Sequence, residues 1–187
     1  MTPSDEQLVQ ESLKDKNKFA LLVERYEQRL LRYIKRLTGR GNNQSEDILQ
    51  EVFIKIYRNL NDFDTNLKFS SWAYRITHNE AINHARKIKD TVPIETDDKE
   101  TANLINILKS DTNIPEEISQ KELAEKVRKT IDDLPKKYRD VIILYYLEDK
   151  DYQEISDILK KPTSTIGTLL SRSKAKFKQL SHKHDLV

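Results

Sequence analysis

Between Lys18 and Thr38 the chain sets Phe19, Leu22, Val23, Tyr26, Leu30, Tyr33, Ile34 and Leu37 at steps of three and four. That is the period of a helix with one buried stripe. A strand changes sides at every residue and cannot satisfy it. Comparable patterns recur along most of the 187 residues, and only three glycines and five prolines interrupt them. A sandwich or barrel needs more turn residues than that. The expected fold class is all-α.

The elements follow in order. Ser4 to about Lys14 reads as a short amphipathic helix with Leu8, Val9, Ser12 and Leu13 on one side. Gly39 and Gly41 stop the long second helix. Ser45 is the expected N-cap of a third, with Glu46 and Asp47 in its first turn and Ile48, Val52, Ile56 and Leu60 inward. NDFDTN (Asn61 to Asn66) is a loop by its turn residues. LKFSSWAYRITHNEAINHARKIK (Leu67 to Lys89) then reads as one helix. Pro93 and Pro115 bracket a polar stretch with one weakly apolar patch, Leu104 to Leu108, read as a linker. A second helical block begins near Glu116. One helix ends at Leu134–Pro135, and another runs from about Lys136 to Leu147. Asp151 caps DYQEISDILKK, with Tyr152, Ile155, Ile158 and Leu159 inward. Pro162 breaks the chain, and the last helix carries a seam of Ile166, Leu170, Ser173, Phe177 and Leu180.

Several function classes fall away. There is no cysteine, hence no disulfide frame or thiolate metal site. No apolar run reaches the length of a membrane span, and the polar, acidic start MTPSDEQLVQESLKDK is unlike a signal peptide. The expectation is a cytoplasmic protein without membrane insertion. The four histidines, His78, His84, His182 and His184, show no metal spacing, and no Gly-rich phosphate loop or nucleophile elbow is present. No catalysis, metal or cofactor is expected.

Charge is distributed unevenly. From Asp90 to Glu117 there are eight carboxylates against two lysines. From Lys161 to His184 there are six bases and no acid, and from Lys68 to Lys89 five bases against Glu80 alone. Two basic segments flanking an acidic one suit two contacts with a polyanion. On the Leu67–Lys89 helix, Trp72, Arg75, Asn79, Asn83 and Arg86 share a quarter-turn sector, while Ala73, Tyr74, Thr77, Ala81, Ala85 and Ile88 lie opposite. Guanidinium and amide groups beside an aromatic fit phosphates, base edges and stacked bases. A solvated polar face with Trp72 in the core would read the same way. The C-terminal pair has helix-turn-helix proportions. Thr163, Ser164, Thr165, Thr168, Ser171 and Arg172 can reach a major groove, with Lys174, Lys176 and Lys178 following the backbone. A terminal hairpin with a wet lysine face is the bland alternative.

Taken jointly and in order, these segments resemble the RNA polymerase sigma factors of the extracytoplasmic-function (ECF) group. SEDILQEVFIKIYRNLNDFD is similar to that family's polymerase-binding helix and loop. FSSWAYRITHNEAINHARKIK is similar to its promoter-melting, −10-reading helix, and LPKKYRDVIILYYLEDKDYQEISDILKKPTSTIGTLLSRSKAKFK to its −35-binding domain. The resemblance implies sigma domain 2, a helical bundle, over residues 1–89; a flexible acidic linker over 90–116; and sigma domain 4, a helix-turn-helix, over 117–187. It implies core RNA polymerase (β′ and β subunits) and promoter DNA as partners, with Asp47, Gln50 and Glu51 docking on a β′ coiled coil. The −10 strand would meet Phe63, Lys68, Trp72, Arg75, Asn79, Asn83 and Arg86. The −35 element would meet Thr163, Ser164, Thr165, Thr168, Ser171, Arg172, Lys174 and Lys176. Family habit adds an anti-sigma factor, able to hold the protein at the membrane, and a role in stress response. The linker carboxylates would lie in the channel later used by RNA.

One stretch departs from the family. Where a G-T-V-K-S-R-like run is typical, this chain reads STIGTLL, with Gly167 at a lysine position and Leu169 at an arginine position. An ordinary helix-turn-helix repressor accounts for the C-terminal block alone, and an all-helical scaffold for neither acid-poor surface.

Overall fold

The computed structural model describes residues 3–39, 41–86, 98–107, 119–184 and 186. Among them every regular element is helical. Contacts divide the chain into two compact units, Met1–Val92 and Pro93–Val187, with Asp157–Leu159 grouped with the first.

The first unit is built from α1 (Asp5–Lys14), α2 (Phe19–Thr38), α3 (Asn42–Arg58) and α4 (Phe69–Ala85). Ser4 and Gln7 close a reciprocal capping box at the start of α1. Gly39 ends α2 at φ 60°, the left-handed position where a side chain would be strained. α2 packs on both α3 and α4, which also pack on each other, and α1 lies on α2. The periodic residues do what their spacing requires: Leu22, Tyr26, Leu30, Tyr33, Ile34 and Leu37 meet Ile48, Val52 and Ile56 in the core. Each such burial stabilises by about 1.5–3 kcal/mol relative to exposure.

The second unit contains α5 (Asp98–Ile105), α6 (Gln120–Asp132), α7 (Lys136–Ile142), α8 (Tyr152–Leu159) as far as Ser156, and α9 (Thr163–Lys183). Its core joins Val127, Ile131, Val141, Ile142, Leu144, Ile155, Ile166, Leu170 and Phe177. Asp151 caps α8 in a second capping box with Glu154. Lys160 closes it at φ 53°.

Several expectations need correction. Ser45 does not cap α3. The helix starts at Asn42 after an extended Gly41, and Ser45 is fully buried one turn in. Leu13 is 43% exposed and Tyr152 39% exposed, although both fell on apolar stripes. At the end of α9, Ser181 is buried in the seam and Leu180 only half so, because a helix drifts off a strict four-three alternation. The expected Lys136–Leu147 helix keeps α-geometry only to Ile142; Ile143–Leu147 is a π turn, closed by Glu148 N–H donating to Ile143 O at 3.0 Å. Within the segment 90–116, α5 forms and packs on α6, with Leu104 and Ile105 buried. Residues 87–97 and 108–118 lie outside the described residues.

Candidate docking and nucleic-acid interfaces

On α3, Asp47, Gln50 and Glu51 are all exposed, along one face. One further turn along the same stripe stands Ile54, 50% exposed. Sequence reasoning missed it, although it sits seven residues after Asp47, where a helix returns to the same face. An aliphatic side chain beside two carboxylates and an amide makes this stripe suited to a partner helix carrying arginines and apolar residues.

Behind the stripe, α3 is bridged to α4 twice. His84 Nε2 lies 2.8 Å from Glu51 Oε2, and Lys55 Nζ lies 2.6 Å from Glu80 Oε1. Glu80 is the lone carboxylate of α4, and it is only 7% exposed. It therefore faces inward and α3 neutralises it, leaving the outer face of α4 without an acid. Glu51, Glu80 and His84 bring one ligand atom each within 4.8 Å of one another, a spacing a cation could use. The Lys55 ammonium already supplies the positive charge at Glu80, so the cluster acts as a bridge between helices.

That outer face carries the polar groups in the expected sector. Asn79, Asn83 and Arg86 are exposed and Arg75 is half-buried, while Ala73, Tyr74, Thr77 and Ala81 are buried opposite. Lys68 is exposed at the N-cap. Trp72 and Phe63 differ from the rest: each is 7% exposed, their rings are 5.4 Å apart, and both pack on Phe69. They hold the Leu60–Lys68 loop against α4 and offer no open ring for a base to stack on. Ile88 lies outside the described residues. The loop is braced by Asp64, whose Oδ1 accepts from the Asn66 backbone and side chain at 2.9 Å.

In α9 the seam Ile166, Leu170, Ser173 and Phe177 is buried. Thr163, Ser164, Thr165, Thr168, Ser171, Arg172 and Lys174 are exposed, and Lys176 is half-buried. At one hundred degrees per residue, Ser164, Thr168, Ser171 and Arg172 point directly away from the seam. The face is thus small hydroxyls with one guanidinium, a low-profile surface that can sit deep in a groove. Burial pushes the Tyr146 phenol up, and the neighbouring Lys174 ammonium pulls it back. Lys176 donates to Gln179 Oε1 at 2.8 Å. A Cβ on Gly167 would meet the Tyr152 ring at 3.6 Å, an ordinary contact.

None of the helices among the described residues is long and apolar enough to cross a membrane. The Sigma-70 region 2 family matches residues 22–91, and the Sigma-70, region 4 family matches residues 117–177. The chain is 34% identical over 163 residues to the ECF RNA polymerase sigma factor SigW of Bacillus subtilis, covering 86% of this chain and 87% of that one. It is 31% identical over 178 residues to the ECF RNA polymerase sigma-E factor of Escherichia coli, covering 91% of each. Among solved structures, CnrH in complex with the cytosolic domain of CnrY aligns with a TM-score of 0.69 at 20% identity, over 97% of this chain and 99% of that one. The sigma factor RpoE with the anti-sigma factor NepR from Bartonella quintana aligns with a TM-score of 0.61 at 18% identity, over 87% and 95%. At these identities the structures speak for the fold.

Proposed function

The chain belongs to the ECF group of RNA polymerase sigma factors, and from that premise we propose how its residues divide the work of starting transcription. Its function is promoter-specific initiation: it binds core RNA polymerase, recognises −35 and −10 elements, and melts the −10 region. The family is one of initiation factors rather than of enzymes.

Sigma domain 2 spans residues 1–89. Its α3 stripe of Asp47, Gln50 and Glu51, extended by Ile54, docks on a helical coiled coil of the β′ subunit, with the carboxylates taking arginines. The loop ending at Lys68 and the outer face of α4 then receive one displaced strand. Asn79 and Asn83 reach base edges, while Arg75 and Arg86 hold phosphates. Phe63 and Trp72 support this face from beneath. No nucleotide hydrolysis is needed, because binding the flipped state offsets an unpairing cost of a few kcal/mol.

Sigma domain 4 spans 117–187 and lays the start of α9 in the major groove at −35. Thr163, Ser164, Thr165, Thr168 and Ser171 approach the bases, and Arg172, Lys174 and Lys176 neutralise phosphates. With Gly167 and Leu169 in place of two cations, its −35 preference differs from that of relatives with the usual run. The acidic segment 90–116 follows the channel later taken by RNA.

The sigma factor RpoE, whose fold this chain shares, is held in a complex with the anti-sigma factor NepR, and this supports a further assignment: an anti-sigma factor covers the docking and DNA faces and keeps the protein inactive. The protein works in the cytoplasm, on the nucleoid when active, and at the membrane when such a factor holds it there.

The observation that carries this reading is the pair of acid-free faces, on α4 and α9, lying within the two matched regions in family order. Run-off transcription with purified core polymerase and a promoter library tests it. Initiation at a defined promoter class is expected, with tight promoter binding only when core enzyme is present. Tight duplex binding without core enzyme, and no initiation with it, would make the protein an ordinary repressor or activator.

A further inference from the structure

The first helix lies outside the matched regions, which begin at residue 22, and neither docking nor strand capture as described uses it. Leu8, Val9 and Ser12 bury it against the bundle. Asp5 ties it to α2 through Arg25 and Tyr26. Glu6, half-buried beside it, reaches elsewhere. Its Oε1 accepts a hydrogen bond from the backbone N–H of Phe69 at 3.2 Å, across 63 residues of sequence.

Phe69 is the first residue of α4, and the N-cap residue Lys68 makes no side-chain capping bond. A lysine has no acceptor to offer. The first turn of any helix carries N–H groups with no partner inside it, and a carboxylate there both accepts from one and complements the positive end of the helix dipole. α1 thus supplies the cap that the local sequence of α4 lacks. It also packs on the 3-10 turn Leu60–Asp62, which opens the loop leading into α4. Phe63, Phe69 and Trp72, the ring cluster under that loop, converge at the same point.

We propose that Glu6 is a positioning residue for promoter opening: by capping α4 from α1, it fixes where the strand-receiving helix begins and so where Lys68 and the preceding loop stand. This rests on the assignment of the α4 face to the −10 strand. Glu6 touches no DNA. It removes the fraying of the first turn of α4 that would otherwise blur the placement of Lys68. The requirement is for an acceptor at that distance, so glutamine serves, while alanine and the shorter aspartate do not.

The test measures holoenzyme binding to a single-stranded oligonucleotide carrying the non-template −10 strand of a promoter that the holoenzyme transcribes. Core affinity and retention of −35 duplex are measured alongside. Glu6→Ala is expected to weaken strand capture about three- to tenfold, as loss of a cap does, with core affinity and duplex retention unchanged. Glu6→Gln is expected to restore capture to within about twofold of the parent. Should Glu6→Ala not fold, Glu6→Asp replaces it, with the same loss expected. The proposal is overturned if the alanine or aspartate form captures the strand normally, if glutamine is as defective as alanine, or if core affinity falls in step. Arg86→Ala is the control arm: if it and Glu6→Ala both leave capture intact, the α4 assignment itself fails. If only Glu6→Ala does, the positioning role alone fails.

Discussion

The two basic helices, α4 and α9, were alike in sequence and are built differently. The polar face of α4 depends on its neighbours. Lys55 on α3 neutralises Glu80, Glu6 on α1 caps the first turn, and Phe63 wedges the loop against Trp72. The face of α9 lies within one helix, from Thr163 to Lys174, with its inner seam committed to packing. A single strand has little shape of its own, so its receiver must be held rigid by surrounding elements. A duplex is already stiff, and a plain helix can read it. The contrast predicts that damage to α9 acts locally, whereas the face of α4 can be weakened from a distance.

The largest expected effect falls on α9. Arg172→Glu with Lys174→Glu should reduce initiation from −35-dependent promoters by about 100-fold, since two phosphate contacts become repulsive. Run-off assays check this, and core affinity should not change. If initiation persists, α9 is not the duplex reader and the contrast collapses. Next, Asn79→Ala with Arg86→Ala should weaken capture of the −10 strand by about tenfold, with −35 duplex retention intact. Equal loss of both would mean that the two faces do not divide the work.

A stability effect of opposite sign is expected at Asp140 on α7, which packs on α9. Burial pushes its carboxyl up from the ordinary 3.8, and Lys136 and Arg139 offset only part of that. Between the unfolded and the raised folded values, the folded chain holds the extra proton, so stability falls as pH rises through that window. Asp140→Asn cannot ionise. It should flatten this slope and raise the melting temperature at neutral pH, as read by thermal denaturation at several pH values.

The smallest effect sharpens the comparison most. Gly167→Ala should stabilise α9 by about 0.5–1 kcal/mol, because its methyl meets Tyr152 at an ordinary 3.6 Å. Gly167→Lys should steepen the salt dependence of −35 binding by roughly one phosphate contact. An unchanged salt slope would show that this flank of α9 stands away from the DNA backbone.

The fold was legible where periodicity is long and unambiguous, as in α2 and in the Ile166–Phe177 seam. Capping chemistry placed Gly39 and Asp151 correctly because each works through a strictly local bond. Ser45 misled because a serine can be buried inside a helix as readily as it caps one, and nothing near it in sequence tells these apart. Tyr152 and Leu13 misled because a position on an apolar stripe says nothing about whether the stripe is covered at its ends. For the site, charge and amide placement on α4 and α9 was visible. That Trp72 and Phe63 are buried together was not, since a loop folding back over a helix face leaves no periodic trace. Glu6 was invisible for the same reason: its partner lies 63 residues away.

The inward turn of Glu80 has a consequence at long range. An approaching polyanion feels the field of a surface rather than the tally of its letters, and this acid is sealed beneath its own helix with a lysine against it. From solvent, the flank of the first unit is more cationic than its sequence suggests. Promoter DNA would sense that excess before any single contact forms, and added salt would erase it first.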